Sequence, residues 1–509
     1  MIVSKEKIGL ILGPLVFTLI LLFFNPLGAS YIDGVPVDPI NYQAKAILAC
    51  ASWIAIWWVT EPIPIAATSL LPIILFPLTG GLDITSTTAA FGHKYVFLFI
   101  GSFILAIAIQ KWKLHKRIAL NIINLVGVNK SNIILGFMTA TAFLSMWISN
   151  TATSVMILPV GLAIISQLKD DPNTPENENS LFGKCLMLAI AYSASIGGMA
   201  TIIGTPPNMI FVGVIKESYN IEISFFEWFK FGLPLSIFFL FICWVYLTKI
   251  AFKFKQREFS AGKKEITSQL KSLGKISYEE KTILIVFILT ALAWITRNVQ
   301  IDGVQYGLAK IIPNLDDTII AIISALVLFI LPSKKSTIKN KLSKIIDWKD
   351  AMKLPWGILL LFGAGMALAK GFESSGLAIW IGSQLTYFSD VPLLILILIL
   401  IASVNFLTEV TSNMATTAML LPILVSLAVV LDLHPYYLLI SATLAASCAF
   451  MLPVATPPNA VVFGSGLLKI EDMFKKGLWL NLISIITLTF TIYYVLPYFW
   501  DLITPIKPL

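Results

Sequence analysis

The chain is short of charge. Of its 509 residues only 13% are Asp, Glu, Lys or Arg, where a soluble globular protein carries about 25%. Charge this sparse cannot coat a large soluble surface, so a soluble enzyme with an anchor is excluded. Histidine is nearly absent, at three residues, all isolated, and no metal-ligand cluster is visible. There are four cysteines, Cys50, Cys185, Cys243 and Cys448, each alone in an apolar segment. They form neither CxxC nor a secreted disulfide framework, and read as small core residues. Alternating ten-residue strands are missing, which removes a membrane β-barrel. No HExxH and no paired nucleophile and base appear, so an intramembrane hydrolase has no machinery.

What is present is hydrocarbon. The chain is 57% hydrophobic, with a mean hydropathy of +0.86. A bilayer core of about 30 Å takes about 20 helical residues, and runs of that kind recur along the whole length. The expected fold is an all-α polytopic membrane protein. Eleven spans are expected: 8–24, 44–59, 62–80, 94–110, 184–215, 224–249, 282–297, 318–332, 355–370, 437–467 and 478–499. The first follows Lys5 and Lys7 and is longer than a signal-peptide core, so it reads as a retained helix. Two further apolar stretches, 131–168 and 392–431, are too long for one span. Each is broken near its centre by Ser-Asn, and each reads as a re-entrant hairpin. Segments 111–128 and 371–389 are amphipathic and suit the interface.

The basic residues set orientation. Segment 249–281 holds nine Lys/Arg against four Glu, 333–353 holds seven Lys against two Asp, and "KWKLHKR" spans 111–117. With all three in the cytoplasm, the N-terminus lies inside and the C-terminus outside. The "TEPIP" turn at 60–64 is then cytoplasmic. The net charge of +8 therefore reports topology, not nucleic-acid binding.

The halves repeat. "ISNTATSVMILPV" (148–160) matches "TSNMATTAMLLPI" (411–423) at seven of thirteen positions, and "IGTPPNMIFVG" (203–213) matches "VATPPNAVVFG" (454–464). "AFGHKYVFLFIGSFILAIA" (90–108) echoes "DAMKLPWGILLLFGAGMALA" (350–369). Each pair is reached with opposite orientation, which is the mark of inverted repeats around a midplane site. The expected organisation is 1–43 as first helix and outer loop, 44–249 as repeat one, 250–281 as a basic linker without a domain of its own, and 282–509 as repeat two.

Chemistry concentrates at the breaks. Ser145 and Ser149 share a helix face, as do Thr408 and Ser412. A helix stopping at Asn150 or Asn413 leaves carbonyls unpaired and partly negative. With hydroxyls and an amide oxygen they make a cage of neutral oxygens suited to Na+. The helix that starts next points its N–H groups at the same place and favours an anion. The Pro-Pro pairs forbid a continuous helix. They free the carbonyls of Gly204 and Ala455 and let Thr205 and Thr456 face a substrate. Lone Ser, Asn or Pro-Pro in a membrane helix usually serves packing; their recurrence in matched order argues otherwise. Glu409 has no counterpart in the first repeat, where Met146 stands, and reads as a structural partner. No Arg or Lys lies at either tip, so an anion bound there needs dipoles and co-bound cations.

At these residues the chain resembles the divalent anion:sodium symporter (DASS) family, transporters of dicarboxylates, citrate and sulfate, along essentially its whole length. The resemblance implies no enzyme activity, a homodimer, a scaffold and a moving transport domain, and elevator-like movement of the hairpins. It implies one Na+ site at Ser145, Ser149, Asn150 and the Gly204 carbonyl. The other would use Thr408, Asn413 and the carbonyls of Thr411 and Ala455. Substrate would touch Asn150, Thr151, Thr205, Asn413, Met414 and Thr456. Met414 stands where the family commonly has Thr, and a thioether cannot donate to a carboxylate. The implied activity is Na+-coupled uptake of C4-dicarboxylates across the cell membrane. A sodium-independent dicarboxylate exchanger and a sodium-coupled sulfate or citrate carrier stay open.

Overall fold

The computed structural model describes residues 4–24, 30–32, 35–37, 40–126, 129–169, 176–254, 260–301, 304–334, 343–385, 390–500 and 502. It is helical almost throughout. The strands among the described residues are two short antiparallel ribbons, Ser30–Ile32 with Val35–Val37 and Val299–Ile301 with Val304–Tyr306. Among the described residues eight helices are long and apolar enough to cross a membrane, and four shorter apolar ones accompany them. The four cysteines are buried and free.

Each expected span contains helix, and the differences have local causes. The expected spans 184–215 and 437–467 are each two helices, Glu176–Gly198 with Pro206–Tyr219 and Tyr436–Ala446 with Pro457–Phe463. The second helix of each begins at a proline, whose missing N–H costs nothing in a first turn. The expected span 62–80 is also two pieces, Ile65–Thr68 and Leu71–Thr79. The last helix begins at Ile470, eight residues before the apolar run, where Asp472 Oδ2 accepts from the Lys469 amide at 3.2 Å across a charged first turn. The linker 250–281 carries a helix, Ser260–Ser272. Residues 255–259 of that linker and 386–389 of the second amphipathic segment lie outside the described residues. The first amphipathic segment is the helix Leu114–Leu125, which buries Leu114, Ala119, Leu120 and Ile123.

Helix Lys94–Lys111 (18 residues) is about 27 Å long, and its two lysines mark opposite faces of the molecule. At one end Lys111 pairs with Asp350 at 2.6 Å, and Arg117 nearby pairs with Glu280 at 2.9 Å. Trp112 Nε1 donates to the Ile345 carbonyl at 2.8 Å. The three basic segments therefore gather on one face. At the other end Lys94 contacts Glu222 and Asp316, each at 3.0 Å, while Arg297 Nε holds Asp317 at 2.6 Å. There the Phe225 amide donates to Asp317 at 2.8 Å. Asp316 is partly buried, which by itself would raise its carboxyl. The Lys94 ammonium and the Thr318 amide prevail and hold it at about 2.

Both Ser-Asn stretches form helical hairpins, Lys130–Ser145 with Asn150–Lys169 and Leu393–Leu407 with Asn413–Val430. The first hairpin and the last helix, Ile470–Phe490, are each seated against a broken helix by a small residue. A Cβ on Gly197 would overlap the backbone of Ala142 in the first hairpin. A Cβ on Gly477 would overlap the carbonyl of Phe450, in the second unwound stretch.

Candidate functional site

The first hairpin turns at Met146–Ser149 and the second at Thr408–Ser412. The helices that follow start with Asn150 and Asn413. Their first intrahelical bonds are Thr153 N to Ser149 O at 3.0 Å and Thr416 N to Ser412 O at 2.8 Å. The amides at 150–152 and 413–415 thus have no intrahelical acceptor and are aimed at the turn, as helix starts require. One of them, Ala152 N, donates to Ser149 Oγ at 3.4 Å.

Two matched oxygen sets lie beneath the turns. In the first, Ser145 Oγ is 2.7 Å from Ala194 O. One terminal atom of the Asn150 amide stands 2.6 Å from Ser145 Oγ and 3.2 Å from both Ala194 O and Gly204 O. As NH2 that atom has these three oxygens as acceptors for its two protons. As the amide oxygen it leaves four oxygens converging on one point, which is how neutral oxygens hold a hard cation. In the second set, Thr408 Oγ1 lies 2.7 Å from Asn413 Oδ1, to which it donates, and 3.2 Å from Ala446 O. The Ala194 and Ala446 carbonyls are members that sequence reasoning missed. Their only signal was position, at or near the last turn before each unwound stretch. Among the described residues no three His, Cys, Asp or Glu are grouped to hold a metal, so any cation here depends on neutral oxygens.

The unwound stretches are held open by the asparagines of the two Thr-Pro-Pro-Asn motifs. Asn208 Nδ2 donates to Thr201 O at 2.8 Å and to Met199 O at 3.2 Å. Asn459 Nδ2 donates to Leu452 O at 3.0 Å and to Ala449 O at 3.1 Å. Both are fully buried. Non-helical backbone at membrane depth survives only with such internal partners or beside a cavity. Thr205 and Thr456 both sit extended at helix starts. Thr456 Oγ1 accepts from the Asn459 amide, whereas Thr205 makes no such bond. The Thr205 hydroxyl is therefore the freer of the two.

One cavity of about 360 Å³ joins the two tips. Its walls include Ser149, Asn150, Thr151, Thr205, Thr411, Ser412, Asn413, Met414, Ala455 and Thr456. Ser145, Gly204 and Thr408 are buried beneath it. The sequence-predicted residues thus come together from four segments. Thr411 uses its hydroxyl locally, bonding Leu407 O at 2.8 Å and Thr416 Oγ1 at 2.6 Å. Its hydroxyl is therefore taken up within the hairpin. Met414 presents a soft apolar wall between Asn413 and Thr456.

Glu409 does not face the cavity. Its carboxylate accepts from the amides of Phe450, Met451 and Leu452 at 2.7, 2.9 and 3.0 Å, and from Asn481 Nδ2 at 2.7 Å. It ties the second hairpin to the second unwound stretch, the structural role expected of it. The absence of basic residues holds for the tips but not for the whole cavity: Lys5 lines it, as does Glu61. Sequence reasoning saw Lys5 only as a flank of the first helix.

This paired geometry accords with what the chain is related to. A family model described as the sodium:sulfate symporter transmembrane region matches residues 16–503. The chain belongs to the sodium:sulfate symporter family, the DASS family of divalent anion transporters. A Staphylococcus saprophyticus protein named sodium-dependent dicarboxylate transporter SdcS is 45% identical over 495 residues, covering 97% of this chain and 92% of that one. Its Staphylococcus aureus namesake is 46% identical over 496 residues, with the same coverage. Two solved transporters share the fold of this DASS protein at low identity. The YdaH transporter of Alcanivorax borkumensis has a TM-score of 0.61 and 12% identity over 99% of this chain and 100% of that one. Neisseria gonorrhoeae MtrF has a TM-score of 0.57 and 10% identity over 97% and 96%.

Proposed function

We propose that this DASS protein couples Na+ to the uptake of C4-dicarboxylates such as succinate, fumarate and malate. The observation that carries the reading is the pair of oxygen sets, Ser145/Asn150/Ala194/Gly204 and Thr408/Asn413/Ala446, under the walls of one cavity. Each Asn serves a cation on one side and a dianion on the other. Its amide oxygen joins the cage while its NH2 group and the helix N-terminus face the cavity. Neither ligand is well neutralised alone, because the tips bring no basic side chain. Co-binding then has an electrostatic cause, and transport of one without the other is unfavourable. The relatives' names, sodium-dependent dicarboxylate transporters, support both cargoes.

Asn150, Thr151, Thr205, Asn413, Met414 and Thr456 contact substrate in this reading, and Ser149 belongs to the first cation site. The carbonyls of Gly204, Thr411 and Ala455 complete the cation sites. The two halves are inverted repeats, with the N-terminus cytoplasmic and the C-terminus external. The hairpins and broken helices move as one body against the remaining helices, in an elevator-like step, within a homodimer. The gathering of all three basic segments on one face supports this orientation.

Uptake of labelled succinate into vesicles, with Na+ replaced by choline, tests the coupling. Uptake should fall to background. Unchanged uptake makes the protein a sodium-independent exchanger. Asn150→Ala should abolish both uptake and stabilisation by Na+. Thermal stabilisation by succinate, but not by citrate or sulfate, tests the substrate class, and the reverse order rejects it.

A further inference from the structure

We propose that Lys5 and Glu61 form a matched charge pair at the cavity mouth, Lys5 steering the dianion and Glu61 steering Na+. The inference rests on the transport reading above. Among the described residues lining the cavity these two alone are charged. Neither belongs to a hairpin. Lys5 opens the helix Lys5–Phe23, and Glu61 ends the helix Tyr42–Thr60 with a left-handed backbone, φ 50°.

The two helices are locked at this end. Trp57 Nε1 donates to Gly9 O at 2.9 Å. A Cβ on Gly9 would overlap the Thr60 side chain, and one on Gly13 would crowd Trp53 and Trp57. This is a small-xxx-small contact, which lets backbones approach closely. Lys5 lies one turn before Gly9, and Glu61 follows Thr60 directly. Both charges are therefore fixed at one end of a rigid helix pair, on the cavity's edge. No ion pair joins them among the described residues, and both are exposed. Each stays available to a passing ion of opposite sign. A mouth with one charge of each sign does not repel either cargo. Because the pair sits outside the hairpins, it meets cargo only while the cavity opens on this face.

The test uses full-length protein in inverted vesicles, which expose the face bearing the basic segments, and in right-side-out vesicles. Initial rates of labelled succinate flux are measured against succinate and against Na+, at low and high choline chloride. Exposed charges give small, salt-screened effects. Lys5→Gln should raise KM for succinate about three- to five-fold at low ionic strength in inverted vesicles and leave the Na+ half-saturation unchanged. Glu61→Gln should raise the Na+ half-saturation about three-fold and leave succinate KM unchanged. Both effects should vanish at high salt, Lys5→Arg should restore the wild-type KM, and Lys7→Gln should behave as wild type. Equal shifts from both membrane faces, a shift in Lys7→Gln, or an unmoved Lys5→Gln overturn the inference alone. Absence of sodium-driven flux in the wild type overturns the transport reading and this inference with it.

Discussion

Replacing Glu409 by alanine removes an acceptor from four buried donors, the amides of Phe450, Met451 and Leu452 and the Asn481 side chain; only Phe450 N keeps another, Asn481 Oδ1 at 3.2 Å. A buried donor left without a partner costs about 1–3 kcal/mol. At the lower end, the three donors left unpaired give about 3 kcal/mol. That loss falls on the unwound stretch between Ala446 and Pro457, whose backbone has no helix to fall back on. The carbonyls of Ala446 and Ala455 flank it, so the second oxygen set should loosen as well. Thermal unfolding of purified protein in detergent, followed by intrinsic tryptophan fluorescence, should show Glu409→Ala lowered by on the order of 3 °C or more. The stabilisation that Na+ gives the wild type should shrink too. Glu409→Gln should fall between, since one carbonyl oxygen remains while its NH2 faces donors. Asn481→Leu should cost less than Glu409→Ala, because it removes a single one of the four bonds and leaves the backbone amides paired. If Glu409→Ala unfolds within 2 °C of wild type and keeps its response to Na+, the clamp is not what holds this stretch. If instead Glu409→Gln folds normally and loses a proton-dependent flux, the residue carries protons and the structural assignment is wrong.

Other consequences are simpler to check. Asn208→Ala removes the bonds to Met199 O and Thr201 O and leaves buried carbonyls unpaired. It should abolish Na+-driven uptake and lower thermal stability by a few degrees, whereas retained uptake would deny that the motif's asparagine holds the break open. Gly197→Leu should prevent the first hairpin from seating on its broken helix; folded, active protein would refute that close contact. Asp316 is held at about 2, below its ordinary 3.8. A depressed carboxyl contributes stability that is complete above its unfolded value and lost as pH falls through the folded one. The Tm difference between wild type and Asp316→Asn should hold at pH 5–7 and shrink only between about pH 4 and 2. Met414→Thr should add a donor to the cavity wall and lower KM for succinate; an unchanged KM would remove Met414 from the substrate contacts.

Much of the site was legible because lipid makes each broken helix costly. Ser-Asn and Thr-Pro-Pro-Asn, twice over and in matched order, could not be ordinary spans, and the structure brings both pairs to one cavity. The Thr411 carbonyl was expected from the family resemblance alone, and the structural role of Glu409 from the lack of a counterpart in the first repeat, where Met146 stands. The helix starting at Ile470 was placed late, because its charged first turn hides from hydropathy. Asn208 and Asn459 were seen as part of a motif, but not as clamps, since an amide's partners depend on which carbonyls face it.

The sequence by itself determined that the chain is a helical membrane protein, where its spans break, and which face collects the basic segments. Those follow from local chemistry: apolar length, missing N–H groups at proline, and charge that lipid will not take. The tertiary structure alone decided that the Ala194 and Ala446 carbonyls join the oxygen sets, that Glu409 is bound by four donors, and that Lys5 reaches a cavity whose walls, Glu61 apart, come from residues more than 140 positions away. Alanine and lysine at those positions carry no mark of their own. Their partners are set by how distant helices pack, and a backbone carbonyl is the same in every residue until the fold turns it toward something.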